Sequence, residues 1–194
     1  MRHEYRAVVE GGLVPQVDCP DLAMGRHIQF ASATLEEFRK SATLHVEALN
    51  HALAGLPQEQ VRLHLCWGNY EGPHHYDVAL RDIIDIALRR DLLRGGQSAP
   101  RARVKLFREV KPPDGTVLIS GVIESKSNHI EHPQLVADRL VRLAKLVRRE
   151  NVMAGTDCGF GTWVGMARVD PGVVWAKFAA MAEGARLASQ ELWG

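Results

Sequence analysis

"VRLHLCWGN", Val61 to Asn69, decides how the rest of the chain is read. Val61 to Trp67 is a short, mostly apolar run, the pattern of a strand buried in a sheet. Residues i and i+2 of a strand point to the same face, roughly 7 Å apart. His64 and Cys66 therefore share a face at the strand's C-terminal end. An imidazole nitrogen and a thiolate sulfur so placed reach one metal ion, with bonds of about 2.1 and 2.3 Å. Zinc suits both donors and brings no redox chemistry. Taken alone, H-x-C also reads as two core residues, cysteine being among the most buried types. A metal site needs further ligands from elsewhere in the chain.

Outward from this strand, short β-type runs alternate with longer helical patterns. Gly12–Cys19 is the preceding strand, extended from about Gln16 because Pro15 interrupts it. Thr34 and Glu37 form a capping-box pattern, and Leu35, Phe38, Ala42, Val46, Leu49 and Leu53 follow helical spacing up to Gly55. Asp77–Arg90 reads as a helix with Leu80, Ile83, Ile84, Ala87 and Leu88 on its apolar face. Thr116–Ile123 is a strand. His132–Glu150 is a helix with Pro133 in its first turn. Asn151–Asp157 is a short strand, and a last helix runs from about Pro171 to Leu192. This alternation predicts an α/β fold with a parallel sheet covered by helices. Right-handed crossovers place every strand's C-terminal end on one side, where function gathers in such folds. "DCP", "HLC", "ESKSN" and "DCGFGT" all fall at such ends.

Composition narrows the classes. At 194 residues, 46% hydrophobic and 24% charged, the chain has globular values and room for one domain. With 24 Lys+Arg against 23 Asp+Glu there is no basic excess to attract nucleic acid or an anionic membrane. No apolar run approaches the ~18 residues of a membrane span, and "MRHEYRAVVEGG" contains no signal-like apolar core. Three cysteines, Cys19, Cys66 and Cys158, are odd in number and far apart, which is no disulfide framework. A reducing cytoplasm is the expected compartment.

Cys158, in the loop after the last strand, is the candidate third ligand. Two cysteines and one histidine with an open fourth position are a catalytic zinc pattern. His74 and His75 read as exposed loop histidines or as ligands. Asp18 and Asp21 read as binders of a substrate amine or as turn residues. "CGFGT" reads as an anion cradle or as a plain turn. Trp67, Trp163 and Trp175 read as core or as pocket walls. Arg89–Val104 fits none of this: five arginines, a Gly-Gly and a proline stand where the alternation calls for a strand. It reads as a solvated basic loop or as the place where a strand has been lost.

"DCPDLAMGRH", "HLCWGNYEGPHHYD", "GVIESKSNHIEHP" and "NVMAGTDCGFGT" resemble the C-terminal catalytic barrel of the cobalamin-independent methionine synthase family, in particular its shorter homologues, some of which are thiol alkyltransferases. The resemblance covers nearly the whole chain except Arg89–Val104. It implies a partial TIM (β/α)8 barrel, roughly strands four to eight, with residues 1–194 forming its C-terminal half. The implied chemistry is zinc-dependent transfer of a methyl or alkyl group to a thiol, with homocysteine and methyltetrahydrofolate the synthase's own pair. His64, Cys66 and Cys158 fall on the family's zinc ligands, and Asp18 on the aspartate of the strand that holds the amino-acid thiol. Lys126 falls at the position of the proton-donor histidine, where an ammonium with intrinsic pKa near 10.4 has to be lowered to act.

The family's glutamate ligand should fall within Arg89–Val104, which contains no glutamate. The composition there resembles out-of-frame translation of a GC-rich gene, a hypothesis that resequencing without an indel relative to close relatives would defeat. A full barrel takes ~250 residues, and an open half barrel exposes sheet edges. Such a chain is completed by a complementing N-terminal half-barrel chain, self-associates, or is a non-catalytic remnant or interaction module. A uroporphyrinogen-decarboxylase-like barrel without zinc is the remaining alternative.

Overall fold

Thr34 opens the helix its capping box predicts. The Thr34 N–H donates to Glu37 Oε2 at 2.8 Å, and the Glu37 N–H donates to Thr34 Oγ1 at 3.2 Å. Two N-terminal amides that the helix itself leaves unpaired are thereby satisfied. In this computed structural model, residues 1–70, 72–89, 96–99, 106–161, 164–165 and 168–194 are described, with residues 96–99 described by their backbone alone. They fall into two compact units.

The first unit comprises Met1–Gly68, Pro73–Gln97 and Pro112–Thr116. It holds α1 (Arg2–Glu10), β1 (Gln16–Cys19), α2 (Gly25–Ile28), α3 (Leu35–Leu53), β2 (Arg62–Leu65) and α4 (Ile84–Ala87). β1 and β2 pair in parallel, with Val17 opposite Leu63 and Asp18 opposite His64. Val17, Leu63 and Leu65 are buried, as are Phe38, Ala42 and Val46 of α3. Each fully buried side chain of this size contributes about 1.5–3 kcal/mol, so this apolar layer fixes the strand register.

The helix expected over Asp77–Arg90 is only partly formed. A 3-10 turn, Leu80–Asp82, is followed by the single turn of α4. Ile83, at φ −132°, breaks the helical path, and the Ile86 N–H bonds the Ile83 carbonyl instead of that of Asp82. The Asp82 carbonyl accepts from the Arg39 guanidinium instead. The predicted apolar face is still buried at Leu80, Ile83, Ile84 and Ala87. Burial, which the period reports, survives the loss of helical hydrogen bonds.

The second unit comprises Asn69–Gly72, Ser98–Lys111 and Val117–Gly194. It holds β4 (Val117–Ile123), α5 (Pro133–Val147), β5 (Val152–Thr156) and α6 (Pro171–Trp193). β4 and β5 are parallel, with Leu118 opposite Val152 and a register shift between Gly121 and Ile123. Val122, Ile123, Val136, Ala137 and Leu140 form the core. α6 turns its small residues Ala180, Gly184 and Ala188 inward. A Cβ on Gly184 would stand 2.5 Å from Val136 Cβ, so glycine is what lets the two helices approach.

The segment read as a solvated basic loop or as the place of a lost strand contains a short strand. β3 (Gly96–Ala99) forms there. "GQSA" has no apolar period, so the pattern that reveals the other strands is missing while the backbone conformation remains. Residues 90–95 and 100–105 of that segment lie outside the described residues. No helix among the described residues is long and apolar enough to cross a membrane.

Candidate functional site

In the first unit, the β1–β2 register brings two candidate residues together. Neighbours in a parallel pair point to the same face, so Asp18 and His64 stand side by side. His64 Nε2 is 4.0 Å from Asp18 Oδ1, and His64 is buried while the Asp18 side chain is exposed. Cys66 follows two residues later, just beyond the end of β2. Its carbonyl accepts from the Met24 N–H at 3.0 Å, and its sulfur accepts from the Gly68 N–H at 3.3 Å. A hydrogen bond to sulfur favours the thiolate, the form that binds metal. Gly68 stands at φ 99°, a left-handed conformation that glycine adopts without steric cost. Asp18 also lines a cavity of about 260 Å³ within the first unit, with Tyr5, Asp21, His45 and Leu49 among its walls.

The second unit places Cys158 two residues beyond β5. The Asp157 N–H donates to the Ile123 carbonyl at 3.0 Å, extending the β4–β5 pairing into the loop. A methyl on Gly121 would overlap the Asp157 carboxylate, so this glycine makes room for the residue before Cys158. On the other side, the Gly159 carbonyl accepts from Asn69 Nδ2 at 2.7 Å. The Asn69 Oδ1 accepts in turn from the buried Ser125 hydroxyl at 2.9 Å. None of the three cysteines is in a disulfide.

Lys126 lies in the loop after β4, half-buried. Its Nζ is 2.8 Å from Glu124 Oε1, and its N–H donates to the same oxygen at 3.0 Å. The loop is anchored beneath: Glu131 accepts from the Glu124 N–H at 2.7 Å and from Lys177 Nζ at 2.9 Å. Lys177 is fully buried and also donates to the His129 carbonyl. Burial pushes the Glu131 carboxyl up, but the Glu124 amide and the Lys177 ammonium outweigh it and hold it below the ordinary carboxylate range.

Other candidates take different places. His74 Nδ1 is 3.2 Å from Asp77 Oδ2, and His27 Nδ1 is 3.4 Å from Asp77 Oδ1, so these histidines brace a loop carboxylate. Asp21 pairs with His45 at 2.8 Å. Trp67 is buried and donates to the Val78 carbonyl at 2.9 Å. Trp175 is 73% exposed and stacks against Phe178, so it is no core residue. Trp163 lies outside the described residues. Sequence reasoning missed Asn69, Ser125 and Gly121. The only local signal was the Gly-Asn pair directly after the H-x-C run.

The chain superimposes on a B12-independent methionine synthase from Shewanella sp. W3-18-1, solved in complex with selenomethionine, with a TM-score of 0.73 at 17% identity. The match covers 98% of this chain and 53% of that one. The fold is that of the cobalamin-independent methionine synthases. Two curated sequences also resemble the chain. A 2-hydroxypropyl-CoM lyase of Xanthobacter autotrophicus (strain ATCC BAA-1158 / Py2) is 26% identical over 76% of this chain and 45% of the lyase. The uncharacterized protein YxjG of Bacillus subtilis (strain 168) is 26% identical over 81% of this chain and 42% of its own length. The chain thus spans about half the length of the curated relatives it matches. No protein-family model matches it. The methionine synthase resemblance carried by the four strand-end motifs accordingly holds at the level of fold.

Proposed function

We propose that this chain is the C-terminal half of a methionine-synthase-like barrel, built for zinc-dependent transfer of a methyl or alkyl group to a small-molecule thiol. His64, Cys66 and Cys158 are the proposed ligands of one zinc ion. The donor chemistry fits: one buried imidazole and two cysteines outside any disulfide are the soft set that zinc prefers. The observation that carries the reading is the register placing Asp18 beside His64, with Cys66 two residues on and its sulfur accepting an amide N–H. When bound, the ion supplies Lewis acidity, so that a coordinated thiol loses its proton near neutral pH instead of near 8.5.

The other roles belong to the chain's own side chains. Asp18 borders the cavity and offers a carboxylate to a substrate ammonium, which fixes the thiol end toward His64. Lys126 is the proposed proton donor to the leaving group, and its ion pair with Glu124 has to open before the side chain can reach that group. The fold match and the relative named for a 2-hydroxypropyl-CoM lyase support thiol-linked alkyl chemistry; the donor and acceptor follow the synthase as a proposal. The protein is proposed to be cytoplasmic.

Metal content tests this. Purified protein should hold about one zinc per chain, lost in Cys66→Ser; a folded protein that binds no zinc would sink the reading. A second reading, a non-catalytic remnant or interaction module, is favoured by the lack of any glutamate in Arg89–Val104. Zinc binding without thiol alkylation by the 194-residue chain would point to it. Size-exclusion chromatography would then separate self-association from completion by a second half-barrel chain.

A further inference from the structure

One face of α3 forms a wall of the cavity in the first unit. His45, Ala48, Leu49 and Ala52 line it, and they recur at i, i+3, i+4 and i+7, the spacing of a single helix face. The two alanines keep this wall recessed, and Leu49, Val17 and Leu22 make the lining apolar. At about 260 Å³ the cavity lies below the roughly 300–1,000 Å³ of drug-sized pockets, so it suits a small aliphatic group. Asp18, Asp21 and His45 add polar atoms to it. His45 Nδ1 lies 2.8 Å from Asp21 Oδ2. Two lone pairs at that distance would repel, so the ring carries a proton on Nδ1. In the neutral imidazole Nε2 is then an acceptor, and an ionised carboxylate such as Asp18 is an acceptor as well. A primary ammonium brings three N–H donors, more than Asp18 by itself takes up.

We infer that His45 is a second substrate-binding residue: its Nε2 accepts an N–H of the primary ammonium that Asp18 attracts, while the aliphatic stem lies on the apolar lining. The inference rests on the proposed role of Asp18 and not on the zinc centre. It makes the cavity selective for hydrogen-bond donors as well as for positive charge. A quaternary ammonium has the charge and no N–H, so it satisfies neither acceptor. Asp18 would attract both kinds of cation, and His45 would tell them apart.

The probes are pentylamine and its N,N,N-trimethyl analogue. Neither carries a thiol, so binding is read without the metal. Isothermal titration calorimetry of the 194-residue chain should show pentylamine binding about tenfold or more tighter than the trimethyl analogue. His45→Ala should weaken pentylamine about tenfold and leave the trimethyl analogue unchanged, whereas a merely structural role would move both. His45→Gln, whose side-chain oxygen is again an acceptor, should recover part of the loss. Far-UV circular dichroism checks that each variant is folded. If His45→Ala does not fold, the probe pair on wild type still decides, since equal affinities would overturn the inference. Wild-type pentylamine affinity in folded His45→Ala, with Asp18→Asn still weakening it, would overturn the role of His45 and leave that of Asp18. The reverse pattern would remove Asp18 and leave His45. A wild-type chain that binds neither probe would overturn both roles.

Discussion

Asp18 and His64 are register partners in a parallel strand pair, with Asp18 Oδ1 4.0 Å from His64 Nε2. The two differ sharply in environment. His64 is buried at the end of β2, whereas the Asp18 side chain is 59% exposed and borders a cavity. The carboxylate thus borders the cavity and stands 4.0 Å from the buried imidazole. This pairing arises from register alone, since a one-residue slip would turn one of the two to the opposite face.

Asp18→Asn should separate substrate capture from metal binding. A charge-assisted hydrogen bond contributes about 1.5–3 kcal/mol, so an amino-acid thiol such as homocysteine should bind at least tenfold more weakly to the zinc-loaded chain. Zinc stoichiometry should stay the same. Isothermal titration calorimetry reads the first and metal analysis the second; unchanged thiol affinity would remove Asp18 from the site.

Gly121→Ala should act through Asp157. The added methyl overlaps the Asp157 carboxylate, and overpacking of this kind costs about 1–3 kcal/mol. Urea denaturation should show a lower midpoint, and zinc affinity should fall because Cys158 is the next residue. A variant as stable as wild type and with its zinc affinity would show that the β5 end yields freely.

Lys177 and Glu131 should behave as a buried pair. Removing one partner leaves the other charge uncompensated, at a cost of about 3–5 kcal/mol. Lys177→Met alone should destabilise strongly, and adding Glu131→Leu should restore most of the loss. A double variant no better than the single one would refute pairwise coupling. The pH dependence has a definite sign. The folded-state Glu131 carboxyl lies below its ordinary value of 4.5, so the ionised form is favoured by folding. Its contribution is present above that value and is lost as pH falls through the folded one. Denaturation midpoints of wild type and Glu131→Gln should therefore converge in acid.

Thr34→Ala removes the capping box that starts α3 and should cost about 1 kcal/mol. Thermal unfolding should register it, and Thr34→Ser should recover most of the loss.

Much of this was legible from residue types. Of the six residues placed on the inner face of α3 by period alone, Phe38, Ala42, Val46 and Leu53 are buried, Leu49 is half-buried, and Leu35, in the first turn, is exposed. His64, Cys66, Lys126 and Cys158 were placed at strand ends, and each lies at or just beyond one. The helix over Asp77–Arg90 was overextended because the apolar period reports which residues are buried. It does not report which carbonyl each amide finds, and Arg39 claims that of Asp82. β3 was invisible for the converse reason, since "GQSA" takes a strand conformation without an apolar period in its sequence.

The sequence by itself determined strands β1, β2, β4 and β5, the long helices α3, α5 and α6, most of the apolar faces they bury, and the residue types offered at those strand ends. Those are consequences of local spacing and side-chain chemistry. Tertiary structure alone decided that Asp18 stands beside His64, that Gly121 makes room for Asp157, and that Asn69 holds the carbonyl after Cys158. Each of these joins residues more than thirty positions apart. Strand register and loop packing set such distances, and no local pattern encodes them.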